Sequence, residues 1–299
     1  MGGVWRGARD RLGEGGRGDE HPCMPLAFVL SGGASLGASQ AGMLDALYER
    51  GVRPDLLVGT SVGAINAAFI ASRPPTVQSA RELQQVWRRL SRGQIFPANP
   101  LAAGLGLLGM RNHSVPVGSL RRLLSTHVEI ELLEDAPVAL HVVAADVLSG
   151  EEVLLSNGPA VDAILASSAI PGVFPAVPWE AQMLMDGGIL NNTPISHAVA
   201  LGADRIIVLP AIGSERLTQA PRGAFGAGVA ALSRAINQRF ANDLVHYADA
   251  AELIVLPSPD GGILPADFGH AEELIAEGLE RAEAMLARRM QSVALRLAA

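Results

Sequence analysis

Three features of the sequence predict a three-layer αβα fold around a mostly parallel central sheet. Short apolar runs such as Leu26-Ala27-Phe28-Val29-Leu30 show no polar alternation, the pattern of strands covered on both faces. The first two such runs each pass through a Gly-rich turn into a segment of helical periodicity, and paired strand–loop–helix units imply a parallel sheet. The chain of 299 residues is 49% hydrophobic, enough for one large core. With aromatics at 4%, that core has to be built from Ala, Val, Leu and Ile.

Residues 1–23 hold seven glycines among mixed charges and no periodicity, so they are expected to form a disordered tail. Met24, directly before the first strand, is an alternative start. The strand at 26–30 runs into Ser31-Gly32-Gly33-Ala34-Ser35-Leu36-Gly37. A helix follows, with Ala41, Leu44, Leu47 and Tyr48 on one face and Gly51 as its stop. Leu56-Leu57-Val58 is the second strand, and after the turn at 59–63 a helix reaches about Ile70. An amphipathic helix over 74–94 carries Leu83, Val86, Trp87 and Leu90, whereas Pro and Gly punctuate 95–118 and leave loop or broken helix. Further strands are expected at 139–145, 152–155, 183–185, 205–209 and 253–256, and helices at 159–168, 194–201, 225–248 and 270–297. No repeat or linker divides the folded part. The expected organisation is the tail, a core over 24–210, and a helical part over 211–299 packed on the same domain.

Composition excludes several function classes. The net charge of −7 argues against a nucleic-acid surface. All 23 basic residues are Arg, so no Schiff-base lysine exists. One cysteine, Cys23, permits no internal disulfide. No apolar run reaches the roughly 18 residues of a spanning helix, and the N-terminus lacks a secretory apolar segment. A cytoplasmic protein is the expectation. No histidine pair has metal-ligand spacing, and neither a metal nor any other cofactor is predicted.

Gly59-Thr60-Ser61-Val62-Gly63 is a G-x-S-x-G pentapeptide between a strand and a helix. Such a turn pushes the central side chain out of the sheet, and small residues flank it where backbones crowd. The helix N-terminus behind it favours developing negative charge. Ser61 is therefore the candidate nucleophile, a plain tight turn being the other reading. Asp186-Gly187-Gly188 closes the strand at 183–185, leaving its carboxylate clear of neighbouring side chains and able to take a hydroxyl proton directly. A plain Asp-Gly turn is the alternative there. An α/β-hydrolase order of Ser, acid and His normally places the nucleophile after several strands, whereas Ser61 follows the second. None of the seven histidines sits in a turn after a strand; His197, His246 and His270 are the ones a conventional esterase would need. The 31–37 loop can aim consecutive N–H groups at one anionic oxygen. A phosphate-binding reading fails because the loop has no Lys and is not G-x-G-x-x-G.

In order, Leu30-Ser31-Gly32-Gly33-Ala34-Ser35-Leu36-Gly37, the Ser61 pentapeptide and Asp186-Gly187-Gly188 together resemble the patatin-like phospholipase family. Ala166-Ser167-Ser168-Ala169-Ile170-Pro171-Gly172-Val173-Phe174-Pro175 is similar to the family's segment before the aspartate, and the resemblance covers about 25–210. It implies a patatin-like αβα fold and a Ser–Asp dyad, with Ser61 as nucleophile and Asp186 as base. The amides of Gly32, Gly33 and Ala34 would form the oxyanion hole. Ala34 replaces the family's third Gly, where a positive φ would be strained, and Leu36 stands where the family often has Arg or Lys. The implied reaction is hydrolysis of a lipid acyl ester, with transient contact at a membrane surface and no nucleic-acid partner. Leu101, Leu105, Leu107, Leu108 and Met110 are candidates for an acyl groove or a bilayer contact, or for ordinary loop packing. The alternative function is a catalytically silent lipid-binding or regulatory protein on the same fold.

Overall fold

A computed structural model describes residues 25–96, 115–213, 223–260 and 263–297. The expected tail and the groove candidates between Leu101 and Met110 lie outside the described residues. Among those described, one sheet of eight strands comprises β1 (Leu26–Leu30), β2 (Leu56–Thr60), β3 (Ala139–Asp146), β4 (Glu152–Leu155), β5 (Val177–Trp179), β6 (Gln182–Asp186), β7 (Arg205–Leu209) and β8 (Glu252–Val255). Its order is β5-β6-β3-β2-β1-β7-β8, with β4 on β3. From β3 through β2, β1 and β7 to β8 the pairings are parallel, whereas β4 and β6 join β3, and β5 joins β6, antiparallel. The unpredicted strand, β5, is only Val-Pro-Trp, too short for a periodic signal and carrying a proline that cannot donate to a ladder.

The helices are α1 (Ala38–Glu49), α2 (Val62–Ala71), α3 (Val77–Arg89), α4 (Arg92–Ile95), α5 (Gly118–His127), α6 (Ala160–Ser167), α7 (Gly188–Asn191), α8 (Ile195–Ala200), α9 (Gly223–His246) and α10 (Ala271–Leu297). The single helix expected over 74–94 is split. Leu90 turns extended after α3, and Ser91 with Gln94 makes a capping box that starts α4. Helix α5 was not expected; Leu120 and Leu124, four residues apart, are its buried stripe.

Strand β1 explains the layers. Phe28 and Leu30 pack into a core with residues of α1, α2 and α10, while Ala27 and Val29 face Ile195 and Ala198 of α8 and Phe240 and Leu244 of α9. Both faces are covered, which is why the run has no polar alternation. Helices α1 and α10 meet through glycines. A Cβ on Gly42 would collide with the Ile275 carbonyl oxygen, and one on Gly278 with that of Ser39. Register along β3 has the larger functional consequence: Thr60 lies opposite Val143, and Asp186 opposite Ala144. One step along one strand therefore joins the end of β2 to the end of β6.

Replacing Gly278 with Val should push α10 off α1 and destabilise the protein by about 1–3 kcal/mol, as overpacked contacts do. Urea unfolding should show a lowered midpoint with an unchanged slope.

Candidate active site

Ser61 occupies the turn between β2 and α2 at φ 55° and ψ −125°, a conformation side chains rarely adopt. The flanking glycines make it accessible. A Cβ on Gly59 would lie 2.6 Å from the Gly63 carbonyl oxygen, and one on Gly63 would strike that of Leu30. The strained backbone is pinned by Ser167, whose Oγ accepts the Ser61 N–H at 2.8 Å and donates to the Val143 carbonyl at 2.6 Å.

The Ser61 hydroxyl donates to Oδ2 of Asp186 at 2.6 Å across 125 residues of sequence. The other carboxylate oxygen, Oδ1, accepts the Gly188 N–H at 2.8 Å. Asp186 is held from behind by its own N–H, which donates to the Ala169 carbonyl at 3.0 Å. Gly187 has to lack a side chain, since a Cβ would come within 2.5 Å of the Val143 carbonyl oxygen. Burial pushes the Asp186 carboxyl up to about 6, against the opposing hydrogen bonds from Ser61 and Gly188. A carboxylate poised there can hold or release a proton near neutrality.

The 31–37 loop differs in one respect from its sequence reading. The Gly32 N–H donates to the Asn192 carbonyl at 3.1 Å, and the Asn192 side-chain amide donates back to the Gly32 carbonyl at 3.2 Å. In this arrangement Gly32 offers no donor to an oxyanion, because the chain after Asp186 folds across the loop. Gly33 and Ala34 have no acceptor for their N–H groups among the described residues. Ala34 has φ 50°, the left-handed conformation that costs an alanine roughly 1–2 kcal/mol. The loop itself is tethered by Gln40, whose amide donates to the Ser31 and Leu209 carbonyls at 2.9 Å each, and by Ser35, whose N–H donates to Pro265 at 3.0 Å. Leu36 packs partly buried against the core.

Ser61 and Ala34 open onto a cleft that is apolar almost throughout, walled by α2, α3 and α5. Four of the seven phenylalanines and Trp87 line it. Leu83, Val86, Trp87 and Leu90, the apolar positions of the expected amphipathic helix, are among the walls of this cleft. Asn192 and Ser167 were missed as contributors, being short polar residues with no local pattern.

Beneath the site, Glu152 accepts from Asn191 at 2.7 Å and from Arg239, and pairs with His197 at 2.9 Å. Burial opposes ionisation of that carboxyl, but the partners outweigh it and bring it down to about 2. The Asn191 carbonyl in turn accepts from Thr60 Oγ1 at 3.0 Å, tying α7 to the end of β2. The other candidate histidines are also engaged away from Ser61: His246 sits edge-on to Tyr247, and His270 is hydrogen bonded to Glu273. Among the described residues, no group of three His, Cys, Asp or Glu side chains is placed to hold a metal ion. No described helix is long and apolar enough to cross a membrane.

The family model for patatin-like phospholipase matches residues 28–199. An uncharacterized NTE family protein of Mycobacterium tuberculosis is 32% identical over 202 residues, covering 67% of this chain and 52% of that protein. Patatin-like phospholipase domain-containing protein 6 of Mus musculus is 30% identical over 195 residues, 64% of this chain and 14% of that protein. The chain thus spans about half of the one relative's length and 14% of the other's. Among solved structures, VipD from Legionella pneumophila aligns with a TM-score of 0.45 at 14% identity, over 89% of this chain and 67% of that one. A human cytosolic phospholipase A2 aligns with the same TM-score at 12% identity, over 89% of this chain and 58% of that one.

Two stability measurements follow from the geometry. A buried carboxyl with a pKa of about 6, against the ordinary value of about 3.9, contributes most below pH 4 and loses that contribution as pH rises through 6. Asp186→Asn should therefore gain stability relative to wild type between pH 4 and 7, by on the order of 2 kcal/mol; a gap that is constant with pH contradicts this. Ala34→Gly should relieve the left-handed strain and raise stability by about 1 kcal/mol in chemical denaturation.

Proposed function

The chain belongs to the patatin-like phospholipase family, and on that premise we propose that it is a serine hydrolase of lipid acyl esters working through a Ser61–Asp186 dyad. The observation that carries the reading is the 2.6 Å contact between the Ser61 hydroxyl and a buried carboxylate, beside an apolar cleft. Asp186 takes the hydroxyl proton on Oδ2 as Ser61 Oγ bonds to the ester carbonyl carbon. The oxyanion that forms is held by the Gly33 and Ala34 amides, with the N-terminal end of α2 adding favourable potential. Collapse breaks the bond to the alcohol oxygen, which leaves with the proton from Asp186. Water then attacks the acyl-enzyme, gives its proton to Asp186, and the acid departs as the proton returns to Ser61. Release of Gly32 from the Asn192 carbonyl would add a third donor. The carboxylic-ester specificity and any transient contact with a membrane surface belong to this same proposal.

The contact between Gly32 and Asn192 also supports a second reading, a lipid-binding protein whose oxyanion cradle stays closed. Turnover separates the two. Wild type should hydrolyse p-nitrophenyl esters with kcat/KM rising as pH passes through about 6, the value at which the base ionises. Ser61→Ala and Asp186→Asn should each lose at least about 10³-fold in kcat. Lipid binding by wild type with no turnover of short or long esters would select the second reading.

A further inference from the structure

Along α2 the described wall of the cleft beside Ser61 runs as far as Phe69. It follows one face of α2, on which Val62, Ile65 and Phe69 recur at helical spacing. At that end the rings of Phe69 and His127 lie 6.4 Å apart, tilted by 47°. Arg73 fixes both. Its guanidinium carbon sits 3.8 Å from the Phe69 ring centroid, and its Nη1 donates to the backbone carbonyls of Phe69 and His127 at 2.9 Å each. Glu129 and Glu82 hold the same guanidinium from outside. Burial, with Arg73 and Arg89 nearby, keeps the His127 imidazole below its ordinary pKa, so it meets the cleft as a neutral ring. A second cleft shares Phe69, Val86, Leu90, Leu123 and His127 as walls, and its remaining walls are the charged Arg73, Glu82 and Arg89 with two glutamines.

We propose that Phe69 and His127, held in place by Arg73, are the terminal wall of the acyl-chain pocket and set the longest acyl group the site accepts. The inference rests on the ester-hydrolase reading of Ser61 and Asp186. Its magnitude comes from the helix. Ser61 and Phe69 bracket eight helical steps, about 12 Å along the axis. An extended chain advances about 1.2 Å per bond, so about ten carbons reach from Ser61 to Phe69. A longer chain has to displace two packed rings or carry methylenes among charged groups, where their burial gains little. The predicted substrate class is medium-chain acyl esters.

The test compares p-nitrophenyl octanoate with the palmitate on wild type, His127→Ala and, as a milder change, Phe69→Leu, each checked for folding by circular dichroism. Wild type should prefer octanoate by at least about tenfold in kcat/KM. Opening the wall should lower that ratio at least about fivefold in one or both variants. A wild type that prefers palmitate, or a ratio unmoved in both folded variants, overturns the proposal. Calorimetric binding of octanoate and palmitate to Ser61→Ala reads the wall without chemistry. A preference for octanoate there that is lost on adding His127→Ala, alongside a wild type that turns over no ester, would sink the hydrolase reading and leave the wall standing. Equal or palmitate-favouring binding to Ser61→Ala would remove the wall.

Discussion

A single buried hydrogen bond, from the Ser61 hydroxyl to the Asp186 carboxylate, organises the functional half of this molecule. Neither partner is held by its sequence neighbours alone. Strand β3 is the common reference, since its register sets Thr60 beside Val143 and Asp186 beside Ala144. Ser167 bridges the same place, joining the Ser61 backbone to Val143. Burial of the carboxylate costs stability once it ionises, and the two hydrogen bonds it accepts offset part of that cost.

The cleft is built from the same parts. Helix α2 begins at Ser61, and the face that continues from it is apolar, so the group proposed to attack and the surface proposed to hold an acyl chain share one rigid element. A carbonyl carbon placed at Ser61 Oγ would have its chain directed along α2 toward Phe69. On the proposed reading, this coupling makes chain length a property of helix geometry.

Much of this was legible in the sequence, for identifiable reasons. Continuous apolar runs at 26–30 and 206–209 announce strands covered on both faces, and both lie inside the sheet. Gly59, Gly63 and Gly187 mark positions where a Cβ would meet backbone, which is why short Gly-containing motifs carry so much information here. The split of α3 from α4 was hidden because the apolar periodicity continues through Leu90 and only the Ser91–Gln94 box breaks it. The hydrogen bonding of Gly32 with Asn192 spans 160 residues and leaves no local trace. That the apolar face of α3 walls a cleft left no separate trace, because a wall residue and a core residue have the same hydrophobicity and the same spacing.

The most direct test of the central claim is peptide mapping after reaction with an alkyl fluorophosphonate. The proposed chemistry breaks the P–F bond, joins phosphorus to Ser61 Oγ and sends the hydroxyl proton to Asp186. Wild type at pH 7 should carry one adduct, on Ser61, and Asp186→Asn should form it at least about 10²-fold more slowly. A folded wild type that resists the reagent, or carries the adduct on another serine, would contradict the account.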